Sequence, residues 1–192
     1  MKLPLDFYLR PDVLEVARDL LGKVLVTAFD GQRTAGRITE VEAYRAPDDR
    51  ACHAWNNRRT PRTQVMFEEG GRAYIYLCYG IHHLFNVVTG PEGMAHAVLI
   101  RAIEPLEGAD LMLERRRARR LTPQLTGGPG TLSQALGLTT RWTNQSLVSP
   151  DSPVWVEDGG DAFSEKKTIA TKRIGVEYAG ECADWEWRFL LQ

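Results

Sequence analysis

The chain has 192 residues, 43% of them hydrophobic, with a formal net charge of −1; that length suits one core, so a single domain over residues 1–192 is expected. The near-neutral balance announces no nucleic-acid binder, leaving any phosphate contact to a local patch, and Cys52, Cys78 and Cys182, far apart and without a CxxC, fit neither a zinc site nor a disulfide framework. Neither a signal-peptide run nor a stretch of membrane-spanning length is present, so a soluble intracellular protein with no membrane partner, in the cytoplasm, nucleoid or nucleus, is expected.

Taken in chain order, "RPDVLEVARDLLGK" places Pro11 and Asp12 at a helix start, Leu14, Ala17 and Leu21 on an apolar stripe, and Gly22 at its stop. "KVLVTAF" and "TAGRITEVEAY" flank Asp30-Gly31, a pair suited to a tight turn, and predict two antiparallel strands. "RAYIYLCYGIHHLFNVVT" predicts a second hairpin with Tyr79 at or beside its turn, and "MAHAVLIRAIEP" a further strand ended by Pro105. "LEGADLMLERRRARR" and "PGTLSQALGL" predict helices. "SPVWVED" and the segment from "KRIGVEYAG" to "WEWRFLL" predict strands, and "EDGGDAFSEKK" a mobile surface loop. Without regular βαβ alternation, the fold class is α+β.

Alternation along a strand puts Glu40, Glu42 and Tyr44 on one face and Val41 and Ala43 on the other. An E-x-E on an edge strand is ordinarily solvated, but the aromatic neighbour brings in a catalytic reading. Carboxylates at i and i+2 have Cα atoms roughly 6.6 Å apart, close to the roughly 6.5–9.5 Å of inverting glycosidases, so glycosidic hydrolysis is a candidate. Tyr74 fits ordinary strand packing. Tyr79, beside Gly80, either packs on a neighbouring loop or protrudes as a wedge toward a partner, as in proteins that kink DNA. His82 and His83 point to opposite faces, and His53 and His96 lack companions at ligand spacing, so no catalytic metal is expected. The basic block Arg115–Arg120 on a helix, and Arg58, Arg59 and Arg62 in "NNRRTPRTQ", read either as solvated faces or as phosphate contacts. "TGGPGT" lacks the lysine and spacing of a P-loop. The residues alone leave three classes open: a DNA-directed glycosylase, a hydrolase of free nucleosides, and a non-catalytic module for bent DNA.

In order, "ITEVEAYRAPDDRACH", "RTPRTQVMFEEGGRAYIYLCYGIHHLFNVV", "VLIRAIEPLEG", "GGPGTLSQALG" and "RIGVEYAGE" resemble the alkyladenine, or 3-methyladenine, DNA glycosylase family of the mammalian type. The resemblance runs from about Leu5 to the C-terminus. It implies a compact α+β domain with a curved, mostly antiparallel sheet and flanking helices, no metal or cofactor, and base-excision repair of damaged purines in double-stranded DNA. 3-Methyladenine is the type lesion, and ethenoadenine and hypoxanthine are further candidates. By matching position, Glu42 resembles the general base for the water that attacks C1′, and Arg101 the arginine beside the nucleotide and its water. Tyr44, Tyr76 and His53 resemble the walls around a flipped base, the backbone at His53 and Ala51 the reader of its edge, and Asn86 the group that excludes guanine. Tyr79 resembles the residue that fills the gap in the duplex, and Met66 one that flanks the DNA beside it. Arg62 is a candidate phosphate contact; Thr131 stands where many relatives have lysine, so the resemblance implies weaker, more salt-sensitive DNA binding. Glu40 is read as structural. No lysine stands beside Glu42, so a monofunctional enzyme without a Schiff-base step is expected, acting as a monomer.

Overall fold

The computed structural model describes residues 1–160 and 168–192. After one helical turn, α1 (Leu5–Tyr8), Asp12 caps α2 (Val13–Leu20), its carboxylate accepting from the Leu14 and Glu15 N–H groups. The stripe that α2 buries is Val13, Val16, Ala17 and Leu20. This i, i+3, i+4, i+7 set is the helical repeat counted from the true first residue, and it leaves the expected Leu14 at the margin.

Next, β1 (Val24–Phe29) turns through Asp30 (φ 52°) and Gly31 (φ 75°) into the long β2 (Gln32–Arg45). β3 (Arg72–Cys78), β4 (His82–Thr89) and β5 (His96–Glu107) follow, then α3 (Ala109–Arg116), α4 (Pro129–Leu136), β6 (Val154–Glu157), β7 (Thr168–Thr171) and β8 (Arg188–Leu191). Among the described residues every strand pair is antiparallel, in the order β3-β4-β5-β2-β1-β6, with β8 pairing β2 and β7. β2 changes partner along one edge: β1 covers it as far as Arg37, and β8 takes over from Glu40 to Glu42. On the other edge β5 follows it from Ala35 to Arg45, with register shifts at Ala35/Gly36, Ile38/Glu40 and Glu40/Val41. Bulges of this kind bend and twist a strand, and here they allow one strand to serve two neighbours.

Alternation divides the sheet into two working faces. Val41 and Ala43, Ala73 and Ile75, Phe85 and Val87, and Val98 and Ile100 are buried together with α2 and with Leu132, Ala135 and Leu136 of α4. The opposite residues, among them Tyr44, Tyr74, Tyr76, Leu84, Asn86, Ala97, Leu99 and Arg101, line a cavity. A loop layer containing Ala46, Cys52, Ala54 and Val65–Phe67 packs on one side of it, and Val176, Ala179 and Cys182 pack on another.

Three expectations change, and one lies largely outside the described residues. β5 runs through Pro105, which pairs Gly36 at a bulge where Leu106 is the extra residue, one of the few strand settings a proline tolerates. The basic block is not one helical face: α3 stops at Arg116, Arg117 takes φ 50°, and Arg115 donates to Ala135 C=O while Arg116 donates to Gln134. The C-terminal segment is strand only at Arg188–Leu191; Glu177–Asp184 is helical turn with a break at Gly180. Of the loop expected at "EDGGDAFSEKK", residues 161–167 lie outside the described residues.

Candidate active site

Glu42 is fully buried, although a charged side chain leaves water at large cost unless it is paired and hydrogen-bonded. The pairing is supplied from three elements. Its Oε2 accepts from Tyr44 OH at 2.6 Å and from Arg101 Nη1 at 3.2 Å, and its Oε1 from the Ile174 N–H at 2.8 Å. Tyr44, Arg101 and Ile174 all line the cavity, so the carboxylate lies immediately behind its wall. Burial, reinforced by the charge of Glu42, pushes the Tyr44 phenol well up, which keeps it a donor. Glu40 shares the same face, as alternation required, but it is not idle: its Oε1 accepts from Arg101 Nε at 2.9 Å and from Arg188 Nη1 at 3.1 Å.

The cavity measures about 170 Å³, of the order of a void (about 150 Å³) that accepts a benzene ring. Its aromatic side is continuous: His53 meets Tyr76 edge-on at 4.6 Å between centroids, and Tyr74 lies 5.6 Å from Tyr76. Arg62 Nη2 lies 3.2 Å from His53 Nε2 and 3.5 Å from Nδ1, and Nδ1 shares a hydrogen bond with Tyr74 OH at 2.8 Å. Burial, with the Arg62 charge second, pulls His53 down to about 4, so the ring is neutral at physiological pH. Burial pushes Tyr74 up to about 12 and Tyr76 further. Asn86 Nδ2 is committed to the carbonyls of Tyr74 and Leu84, at 3.0 and 3.3 Å, which fixes the amide on the cavity floor.

Tyr79 is 90% exposed, at the β3–β4 tip, and lines the cavity lip. It and Gly80 hold φ of 51° and 73°, with Ile81 N–H donating to Cys78 C=O at 3.1 Å. A bulky residue in the left-handed region is strained by roughly 1–2 kcal/mol, and such strain collects at functional sites. Leu77 and Ile81 are also exposed there, so the tip presents three exposed hydrophobic side chains.

The remaining expected positions are placed as follows. Met66 does not flank a surface: it is 1% exposed, packed into the cavity wall with Val65 and Phe67. The Ala51 N–H is taken by Asp49 Oδ1 and its carbonyl accepts from Tyr178 OH at 3.3 Å, while His53 N–H meets no acceptor among the described residues. Thr131 closes the start of α4, its Oγ1 accepting from Gly128 N–H and donating to Gly128 C=O. Arg62 is exposed and stacks over Tyr76 at 4.8 Å.

Reasoning from sequence missed the clamp behind the cavity. Arg173 and Asp49 form a fully buried ion pair; Arg173 also donates to the carbonyls of Ala43 and Cys182 and stacks over Tyr44 at 4.8 Å. It pins the segment that brings Ile174 N–H to Glu42 and Tyr178, a largely exposed aromatic, to the cavity wall. The available signal was an arginine opening "RIGVEYAG" with no other assigned task.

A buried carboxylate stands behind an aromatic slot with an exposed aromatic turn at its lip, an arrangement that suits hydrolysis of a glycosidic bond. A family model described as Methylpurine-DNA glycosylase (MPG) matches residues 6–192. Among curated relatives, a chain from Chlamydia abortus is 50% identical over 190 residues, covering 98% of this chain and 97% of its own length. One from Bacillus cereus is 44% identical over 198 residues, covering 100% and 96%. Both carry the name 3-methyladenine DNA glycosylase, assigned provisionally. The chain belongs to the methylpurine-DNA glycosylase family.

Proposed function

We propose that this protein removes alkylated purines, 3-methyladenine among them, from double-stranded DNA by extruding the nucleotide into the slot and hydrolysing its N-glycosidic bond. The observation that carries this reading is Glu42, buried against the three residues that also wall the cavity. A stacked base offers no face to an enzyme, so extrusion comes first, at a cost of a few kcal/mol (roughly) that damaged bases lower. Tyr79 fills the gap left in the duplex. The extruded purine stacks against Tyr44, Tyr76 and the neutral His53, and a cationic N-alkylated base gains about 0.5–2 kcal/mol by cation–π contact. The unpartnered His53 N–H serves as donor to its edge.

An alkylated purine is already a good leaving group, so the enzyme has one remaining task at C1′. Glu42 orients a water and takes its proton as the oxygen bonds to C1′; the glycosidic bond breaks and its electron pair leaves with the base, giving an abasic site. The positive charge that develops on the sugar is offset by the same carboxylate. Arg101 holds Glu42 in place.

The test is a duplex carrying one 3-methyladenine: alkali-sensitive cleavage at the lesion supports the reading, and an intact strand contradicts it. The same base as a free nucleoside is expected to turn over poorly, because a nucleoside hydrolase has no work for a Tyr79 that is 90% exposed.

A further inference from the structure

Glu42 and Arg101 belong to a quartet of charges whose other two members, Glu40 and Arg188, have no role yet in the reaction. Arg101 spreads one guanidinium over two carboxylates, Nε to Glu40 Oε1 at 2.9 Å and Nη1 to Glu42 Oε2 at 3.2 Å, and Arg188 Nη1 reaches the same Glu40 oxygen at 3.1 Å. All four side chains are at most 19% exposed, with Glu42 at 0%. Two acids and two bases balance.

The backbone does not fix Arg101 by itself. Glu40 pairs Ala102 and Val41 pairs Ile100, so Arg101 is the extra residue of a bulge, the kind of position where a strand re-aims a side chain. At the same point β2 changes neighbour from β1 to β8, and β8 is the strand that delivers Arg188. An arginine free to choose binds a carboxylate through two parallel N–H bonds. Held by Glu40, Arg101 gives Glu42 a single N–H on Oε2. On Oε1, beyond the Ile174 N–H, lone-pair capacity is left for a water.

We infer that Glu40 and Arg188 are positioning residues for the reaction: they hold Arg101 open, so that it supports Glu42 without closing on both of its oxygens. This rests on the reading of Glu42 as the base. Removing the Glu40 acceptor lets Arg101 collapse onto Glu42 and take the position the water needs, an error of about 1 Å of the sort that costs on the order of 100-fold in rate.

The experiment is single-turnover base release from a duplex with one 3-methyladenine or ethenoadenine, with binding to the same duplex measured in parallel. Glu40→Met is expected to release base about 100-fold more slowly with lesion affinity within about threefold. Glu40→Gln, whose amide oxygen can still take Arg101 Nε, is expected to recover most of that loss. Arg188→Met removes only the second anchor; a loss of about three- to tenfold is expected, and it serves as the test where Glu40→Met does not fold. Wild-type rates in Glu40→Met and Arg188→Met overturn the inference, and so do rate and affinity falling together in Glu40→Met without recovery in Glu40→Gln. Glu42→Gln is run alongside: undiminished release there defeats the base assignment itself, whereas its loss with wild-type release in Glu40→Met defeats the positioning role alone.

Discussion

Tyr44 works at both of its ends, the ring on the cavity and the hydroxyl on Glu42 at 2.6 Å. Tyr44→Phe separates the two. The ring stays for stacking, while loss of a bond to a charged acceptor, worth about 1.5–3 kcal/mol, is expected to slow base release by about 10- to 100-fold with lesion affinity held, as read by single-turnover kinetics. At this scale much of the site was legible, because a period of two puts Glu42 with Tyr44 and Tyr74 with Tyr76 whatever the rest of the chain does. Met66 and Ala51 were not legible in the same way. Each lies in irregular chain, where which groups are buried or already bonded is decided by partners distant in sequence, such as Tyr178 for Ala51.

Among the elements, the β3–β4 hairpin carries a conflict between local structure and function. Tyr79 sits at φ 51° with almost its whole side chain in solvent, so it gives the fold little and strains it. Tyr79→Gly is therefore expected to leave stability unchanged or raise it by up to about 1 kcal/mol, since glycine takes positive φ without penalty. Affinity for lesion-containing duplex is expected to fall in the same variant. Urea denaturation and duplex titration read the two effects separately; a fall in stability as large as the fall in affinity contradicts the wedge. The two hairpins were readable because Asp30-Gly31 and Tyr79-Gly80 announce their turns. The C-terminal strand was over-extended, because Val176 and Ala179, whose pattern resembles a strand, are buried against Ala51 and Cys182, with Arg173 anchoring the segment through Asp49.

Across the whole molecule, burial of histidines ties stability to pH. His53 stands at about 4 in the folded chain against an ordinary 6.5, so between those values the unfolded chain binds more protons. Its contribution is complete above about pH 6.5 and is lost as pH falls toward about 4; between pH 7 and pH 5 that amounts to about 2 kcal/mol. Burial pulls His96 down as well, which acts in the same direction. Urea midpoints at pH 7 and pH 5 are expected to differ less in His53→Gln than in the wild type, and equal differences contradict the assignment. The α+β class was legible from the mixture of strands and helices. The closure of the site was not: Arg173 reaches back 130 positions to Ala43 C=O, and no local pattern encodes a contact of that separation.

Base release by Glu42→Gln, set against its grip on the same damaged duplex, bears most directly on the claim that this one carboxylate activates the water. The expected result is near-native affinity for the lesion with release slowed by at least about 100-fold. Release at the native rate, from a variant that binds and folds normally, would contradict it.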